Sequence, residues 1–400
     1  MSVLKSSFFS CASAVTLCLS SALFAQDFNA NPPNTPDFQP AFDGQTRAPI
    51  IDDKIKLDQR VVAQGLAHPW GMAELPDGSW LVTERIGQLR LIQKDGTVSA
   101  PISGLPEIYA DGQGGLLDIV VSGDFAKDRR LWFTFSQPRE AGKNATAIAS
   151  AVLSADGTSL TDMKVIFQQQ PAWASKLHFG SRLAFAPDGM LFASMGERSL
   201  PEARVFAQDV STHLGKILRL TPEGAPAPDN PKIEGGLPEI WSYGHRNPQA
   251  MAFDATGTLW EIEHGPRGGD ELNQPKAGLN YGWPVITYGQ EYSGKPIGAQ
   301  VTQQDGMEQP VYYWDPVIAP SGMVFYEGDL FPDWKGSLLT GGLAGKALVR
   351  LTLDGEKVTG EARYLQGFAR IRDVDVASDG AVMILTDAAD GALIRLAPQN

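Results

Sequence analysis

Trp70-Gly71-Met72-Ala73-Glu74-Leu75-Pro76-Asp77-Gly78-Ser79-Trp80-Leu81-Val82-Thr83 is two short apolar strands hinged on a Pro-Asp-Gly turn. The phrase returns from Arg182, with Pro187-Asp188-Gly189 at its hinge, and from Arg372, with Ser378-Asp379-Gly380. Diverged copies start near Leu116, Gln249 and Ser321, which makes six at spacings of roughly fifty to seventy residues. A third strand follows several of them, as in Gly87-Gln88-Leu89-Arg90-Leu91-Ile92, Lys216–Leu220, Ala347–Leu351 and Ala392–Leu396. Six such repeats predict an all-β fold, a six-bladed β-propeller of four-stranded antiparallel blades. A pair of β-sandwiches would not require one strand-turn-strand phrase six times. Arg60-Val61-Val62-Ala63, ahead of the first copy, is placed to close the ring by pairing with the last blade.

The composition agrees with a turn-rich globular chain, since 42 Gly and 28 Pro among 400 residues disfavour long helices. A formal charge of -13 excludes a general nucleic-acid binder, which needs clustered Lys and Arg. No glycine-rich dinucleotide fingerprint follows a strand, which disfavours a nicotinamide enzyme. Lys5 followed by the uncharged run Phe8 to Phe24 reads as an export signal, residues 1–25, cleaved after Ala25. Both cysteines, Cys11 and Cys18, fall inside it, so the mature chain has no disulfide or thiolate metal site and no integral membrane span. Residues 26–50, rich in Asn, Pro and Asp, are expected to be a flexible tether, and residues 51–400 the propeller. The location implied is periplasmic or secreted.

Several polar residues stand where a propeller places its mouth loops. His178, in Lys176-Leu177-His178-Phe179-Gly180-Ser181-Arg182, precedes the first strand of the third repeat, and Glu197 ends the strand after it. An antiparallel return can bring the carboxylate to the imidazole, the minimum equipment for removing a proton from an alcohol. Arg246 and Asn247 offer fixed positive charge and an amide beside the fourth repeat, and Gln113 another loop amide before the second. Gly265 and Pro266, in Gly265-Pro266-Arg267-Gly268-Gly269-Asp270-Glu271, can expose main-chain carbonyls to calcium, although a plain turn reads equally well. Arg370 and Arg372 alternate toward one side and suit a carboxylate ligand, or else pair with Asp373 and Asp375. His68, His213, His245 and His264 read as structural. Trp314 suits either a sugar-lined mouth or the core, and Asn144-Ala145-Thr146 has glycosylation spacing.

Taken together, His178 with Gly180 to Leu183, Gly244-His245-Arg246-Asn247-Pro248-Gln249, Gly265-Pro266 with Asp270-Glu271, and Arg370-Ile371-Arg372-Asp373 resemble the soluble quinoprotein glucose dehydrogenases and aldose sugar dehydrogenases. That resemblance, from about Val61 to Pro398, implies an enzyme using pyrroloquinoline quinone (PQQ) and Ca2+ to oxidise the anomeric carbon of an aldose to a lactone. It implies His178 as base with Glu197 supporting it, where the family has an aspartate. Arg246, Asn247 and Gln113 would face the quinone edge, Arg370 and Arg372 the cofactor carboxylates, and Gly265 and Pro266 the calcium. A family lysine falls near Ala344 by register, with Lys346 its nearest replacement, and Leu177 stands where the glucose enzymes have an acidic sugar contact. An external electron acceptor is then required. The rival expectations are a calcium-dependent lactonase, with side-chain carboxylates on the metal, and a non-catalytic extracellular binding propeller.

Overall fold

The computed structural model describes residues 27–399, so the proposed export signal lies outside the described residues. Six antiparallel sheets follow one another along the chain as the blades of a propeller. The first blade comprises Pro69–Glu74, Trp80–Glu84 and Gln88–Ile92, with Val98 bridging Ile92 at its outer edge. The next four run Leu116–Val121 to Leu160–Gln168, Gly180–Phe185 to Ile240–Tyr243, Pro248–Phe253 to Tyr312–Trp314, and Pro320–Phe325 to Lys357–Tyr364. The sixth contains Ile371–Val376, Val382–Thr386 and Gly391–Pro398, and its outer strand is Leu57–Leu66 from the start of the chain. Arg60 pairs with Arg395 and Val61 with Ile394, so the ring closes where the sequence suggested. Closure joins the two ends of the sheet series and leaves no unpaired edge between first and last blades.

The repeated phrase folds alike because of its turn chemistry. Gly78, Gly189 and Gly380 adopt positive φ, while Asp77, Asp188 and Asp379 accept the backbone N–H two residues on at 3.0, 3.0 and 3.1 Å. An L side chain is disfavoured at the first set of positions, and an Asx turn explains the second. The hydrophobic cores lie between blades, one at each interface. Leu81 and Leu89 of the first blade pack with Phe133 and Phe135 of the second, and Trp260 and Trp314 of the fourth with Leu338 and Val349 of the fifth. Trp314 therefore belongs to the core, its indole N–H donating to Glu361 at 3.2 Å.

Near the axis, Arg182 on the third blade reaches Asp118 of the second at 2.8 Å and Asp373 of the sixth at 3.1 Å. Its Nε donates to the Gln249 carbonyl of the fourth at 3.0 Å, and its guanidinium lies over Trp70 of the first at 4.7 Å. Five of the six innermost strands thus meet at one side chain.

Residues 27–50 differ from the expected tether: they are laid across the fourth and fifth blades. Phe28, Thr35, Gln45 and Ala48 are buried, Thr35 Oγ1 donates to Asp315 at 2.7 Å, and Ile50 bridges Glu361. A segment too polar to fold by itself is held by hydrogen bonds to an existing surface, which composition does not reveal. Asn144 is buried and accepts from Arg198, so it is no accessible glycosylation site. Among the described residues no helix is long and apolar enough to cross a membrane.

Arg182→Ala leaves two buried carboxylates without their cation. We expect a loss of about 3–5 kcal/mol, the scale for breaking a buried pair from one side, read from the urea midpoint at constant m.

Candidate active site

The first residues of the innermost strands surround a cavity of about 200 Å³ at one mouth of the channel, and every blade contributes. Trp70, Leu117, Gly180, Gln249 and Arg372 are those contributions, with Ala319 just ahead of the fifth blade's inner strand, joined by Gln113, His264 and Arg370 from the loops. The cavity has a cationic wall. Arg370 and Arg372 both reach Asp387 Oδ2, at 3.0 and 3.4 Å, while His68 Nδ1 lies 3.0 Å from the other oxygen. Although burial opposes it, Arg372, His68 and Arg370 hold the Asp387 carboxyl well below the ordinary range. The two arginines are thus neither the surface pair with Asp373 and Asp375 nor free forks. They share one aspartate that the sequence reading passed over, and Arg372 also donates to Gln249 Oε1 at 3.2 Å.

His178 is buried beside this cavity. Its neighbours Phe179 and Gly180 line the wall, and its backbone N–H donates to the side-chain oxygen of Gln113 at 2.8 Å. The backbone is left-handed at His178, φ 49°. Gly196 accommodates this bend, because a Cβ there would stand 2.1 Å from the His178 carbonyl oxygen. The ring Nδ1 lies 3.1 Å from Glu197 Oε2, the return that the antiparallel pairing permits. Burial lowers the His178 pKa and outweighs the opposing Glu197 carboxylate, with the Arg246 and Arg198 charges acting in the same direction as burial. The imidazole is neutral at neutral pH, donates from Nδ1, and keeps its Nε2 lone pair. Burial raises Glu197, but His178, Arg246 and the Ser199 N–H outweigh it and keep the carboxylate ionised.

Arg246 and Asn247 are set by Glu263, whose Oε2 accepts both backbone N–H groups. Asn247 Oδ1 then accepts from Gly180 at 3.1 Å, and the Arg246 carbonyl from the Glu197 N–H at 3.0 Å, which ties this loop to the His178 segment. The Arg246 guanidinium donates to the carbonyls of His264 and Gly265, each at 2.8 Å. Gly265 therefore presents its carbonyl to a shared polar centre, and its N–H is anchored by Asp270 at 2.9 Å. Gly265 and Pro266 are buried next to Glu263 and Glu271 around a small second cavity that adjoins the first at His264.

Two expectations need correction. Lys346 is exposed on a hairpin turn at φ 46°, where its carbonyl accepts from Gly367, and its side chain is not on the cavity wall. Leu343, three residues earlier, is the part of that loop that lines the cavity. His264, by contrast, reaches the wall, and burial pushes its pKa down to about 3 while Nε2 lies 2.6 Å from the Pro320 carbonyl. Arg85 and Asp387 were also missed, because both lie outside any catalytic-looking run; each follows a second strand whose antiparallel return brings it to the cavity, Asp387 beside Arg372 in the sixth blade.

The site fits a planar polyanion, with two arginines on one wall and Trp70 and Phe179 presenting apolar faces. The Gly265 carbonyl, at present engaged by Arg246, and the Glu263 and Glu271 carboxylates nearby are oxygen donors of the kind a hard cation takes. Residues 66–395 match the family model described as Glucose / Sorbosone dehydrogenase. Aldose sugar dehydrogenase YliI of Escherichia coli strain K12 is 42% identical over 390 residues, 96% of this chain and 97% of that one. A crystal structure of a glucose dehydrogenase superposes with TM-score 0.82 at 48% identity, covering 86% of this chain and 100% of that chain. The PQQ-bound form of an aldose sugar dehydrogenase from Streptomyces coelicolor superposes with TM-score 0.71 at 30% identity, covering 86% and 99%.

Because the Glu197 carboxylate raises the His178 pKa, Glu197→Gln removes that support and should lower it further. The NMR titration of the His178 ring carbons measures this, and an unchanged or raised midpoint would contradict the pairing.

Proposed function

The chain belongs to the glucose/sorbosone dehydrogenase family, and from that membership we propose that it is an exported PQQ- and calcium-dependent aldose sugar dehydrogenase. The reaction is oxidation of the anomeric carbon of an aldose to the lactone, with electrons passed on to an external acceptor. The observation that carries this reading is one neutral, carboxylate-oriented histidine beside a cavity whose opposite wall bears paired arginines.

PQQ, when bound, supplies the acceptor for the hydride leaving the sugar carbon, and Ca2+ polarises it. Arg370 and Arg372 would bind the cofactor carboxylates, already oriented by Asp387. Gln113, Asn247 and Arg246 would border its reacting edge, and the Gly265 and Pro266 carbonyls would hold the calcium. His178 Nε2 would take the proton of the anomeric hydroxyl, while Glu197 stabilises the imidazolium that forms. The neutral resting state assigned to the ring is what a base requires. Leu177, 40% exposed next to His178, offers no charge to select one sugar epimer, which fits a range of aldoses.

A lactonase is not favoured, because the axial carboxylates Asp118 and Asp373 are engaged by Arg182.

PQQ with Ca2+ should raise the melting temperature as a ligand of the folded state alone. Arg370→Ala with Arg372→Ala should weaken that response, and no response from the intact protein would remove the quinoprotein reading.

His178→Ala should fold and bind PQQ, yet slow its single-turnover reduction by an aldose about 100-fold or more, the scale for a positioned base. A wild-type rate at full cofactor occupancy would place the base elsewhere.

A further inference from the structure

Arg198, next to Glu197, is fully buried, and its guanidinium has no carboxylate within ion-pair distance among the described residues. Its polar contacts converge instead on the segment that carries His178. Nε donates to the Leu177 carbonyl at 3.2 Å, and Nη2 to the Ser175 carbonyl and Asn144 Oδ1, both at 2.6 Å. The guanidinium lies over Phe179, its carbon 3.8 Å from the ring centroid. Its backbone closes the same loop: Arg198 N–H donates to the His178 carbonyl at 3.3 Å, and Ser175 Oγ donates to the Arg198 carbonyl at 2.7 Å.

A buried cation whose hydrogen bonds all go to neutral acceptors, with the Glu197 charge nearby but beyond pairing distance, is costly, so its retention at this point calls for a specific use. Arginine suits the task because its planar fork fixes several carbonyls at once, as a lysine cannot. The segment it grips is bent into a left-handed conformation at His178, and the loop carrying Arg198 is bent likewise at Arg198 and Ser199. Such a bend persists only where surrounding contacts over-determine it.

We propose that Arg198 is a positioning residue that clamps Ser175 to Phe179 from below and so keeps the His178 ring against Glu197 and facing the cavity. This rests on the reading of His178 as the base. The charged and titratable groups acting on His178 are Glu197, Arg246, Arg198 and His264. Of these, Glu197 favours the imidazolium, while Arg198 and Arg246 disfavour it.

The test uses the whole protein, with Arg198→Gln and Arg198→Lys. In the cofactor-free protein, NMR of labelled histidine follows the His178 titration, its signal identified by loss in His178→Ala. Arg198→Gln should raise the His178 midpoint, since a repelling charge is gone, and shift the acid limb of single-turnover PQQ reduction to higher pH. It should also cut the plateau rate 10- to 100-fold, the scale for a misplaced catalytic group. Arg198→Lys keeps a cation and loses the fork, so its midpoint should stay near wild type while the rate remains low. Loss of thermal stability in Arg198→Gln with the His178 midpoint and acid limb unmoved would mean a merely structural role and overturn the proposal. Should Arg198→Gln fail to fold, a Lys variant that turns over like wild type would overturn it equally. The titration needs neither PQQ nor sugar, so an unmoved His178 midpoint in Arg198→Gln overturns the proposal even if the wild type reduces no PQQ and the dehydrogenase reading falls.

Discussion

The Arg182 guanidinium, bonded to Asp118 and Asp373 and stacked over Trp70, sets the spacing of the inner strands around the axis. The large hydrophobic cores lie between neighbouring blades, and only a small cluster of Trp70, Leu117 and Phe179 reaches beyond one interface. A buried charge network ties opposite sides together here with directional bonds, and each carboxylate is further engaged by a backbone N–H, Leu183 on Asp118 at 2.7 Å and Met72 on Asp373 at 3.1 Å. Burial alone would keep these acids protonated. It raises Asp118 to about 6, against the pull of Arg182, so the triad trades stability for a defined arrangement.

That arrangement matters because the cavity stands directly on it. Its walls are the starts of the inner strands, and shifting one blade would move Arg372 relative to Gly180 and His178. The site is divided between the two sides of the channel. The third and fourth blades hold the His178, Glu197 and Asn247 group, linked by the Asn247 to Gly180 and Glu197 to Arg246 bonds. The first, fifth and sixth provide His68, Leu343 and the arginines around Asp387.

Electrostatics follows the same division. The chain carries a formal charge of -13, yet the cavity wall is basic, with Arg85, Arg370 and Arg372 around a single Asp387. Burial pushes Arg372 down to about 10 even with Asp387 beside it, and the neighbouring Arg370 charge acts in the same direction, so this wall is short of negative charge. An anionic ligand relieves that shortage, whereas the neutral His178 and His264 add no further positive charge at neutral pH.

Much of this was legible in the sequence. The Asp-Gly hinge at 77, 188 and 379 reports a turn whose bonds are local, so the repeat, its count and its closure by residues near Val61 could be read from spacing. His178 and Glu197 were also legible, since both lie on one blade and antiparallel return brings them together. What depended on contacts between distant segments was not. Asp387 meets His68 only because the ring closes, His264 reaches the cavity rather than the core, Lys346 turns away from it, and residues 27–50 lie down on a surface made by later blades. Local turn chemistry and periodicity act within a few residues and are written in order along the chain. Burial, shared partners and the charge state of His178 arise from groups far apart in sequence, and only the closed propeller brings them within a bond length of one another.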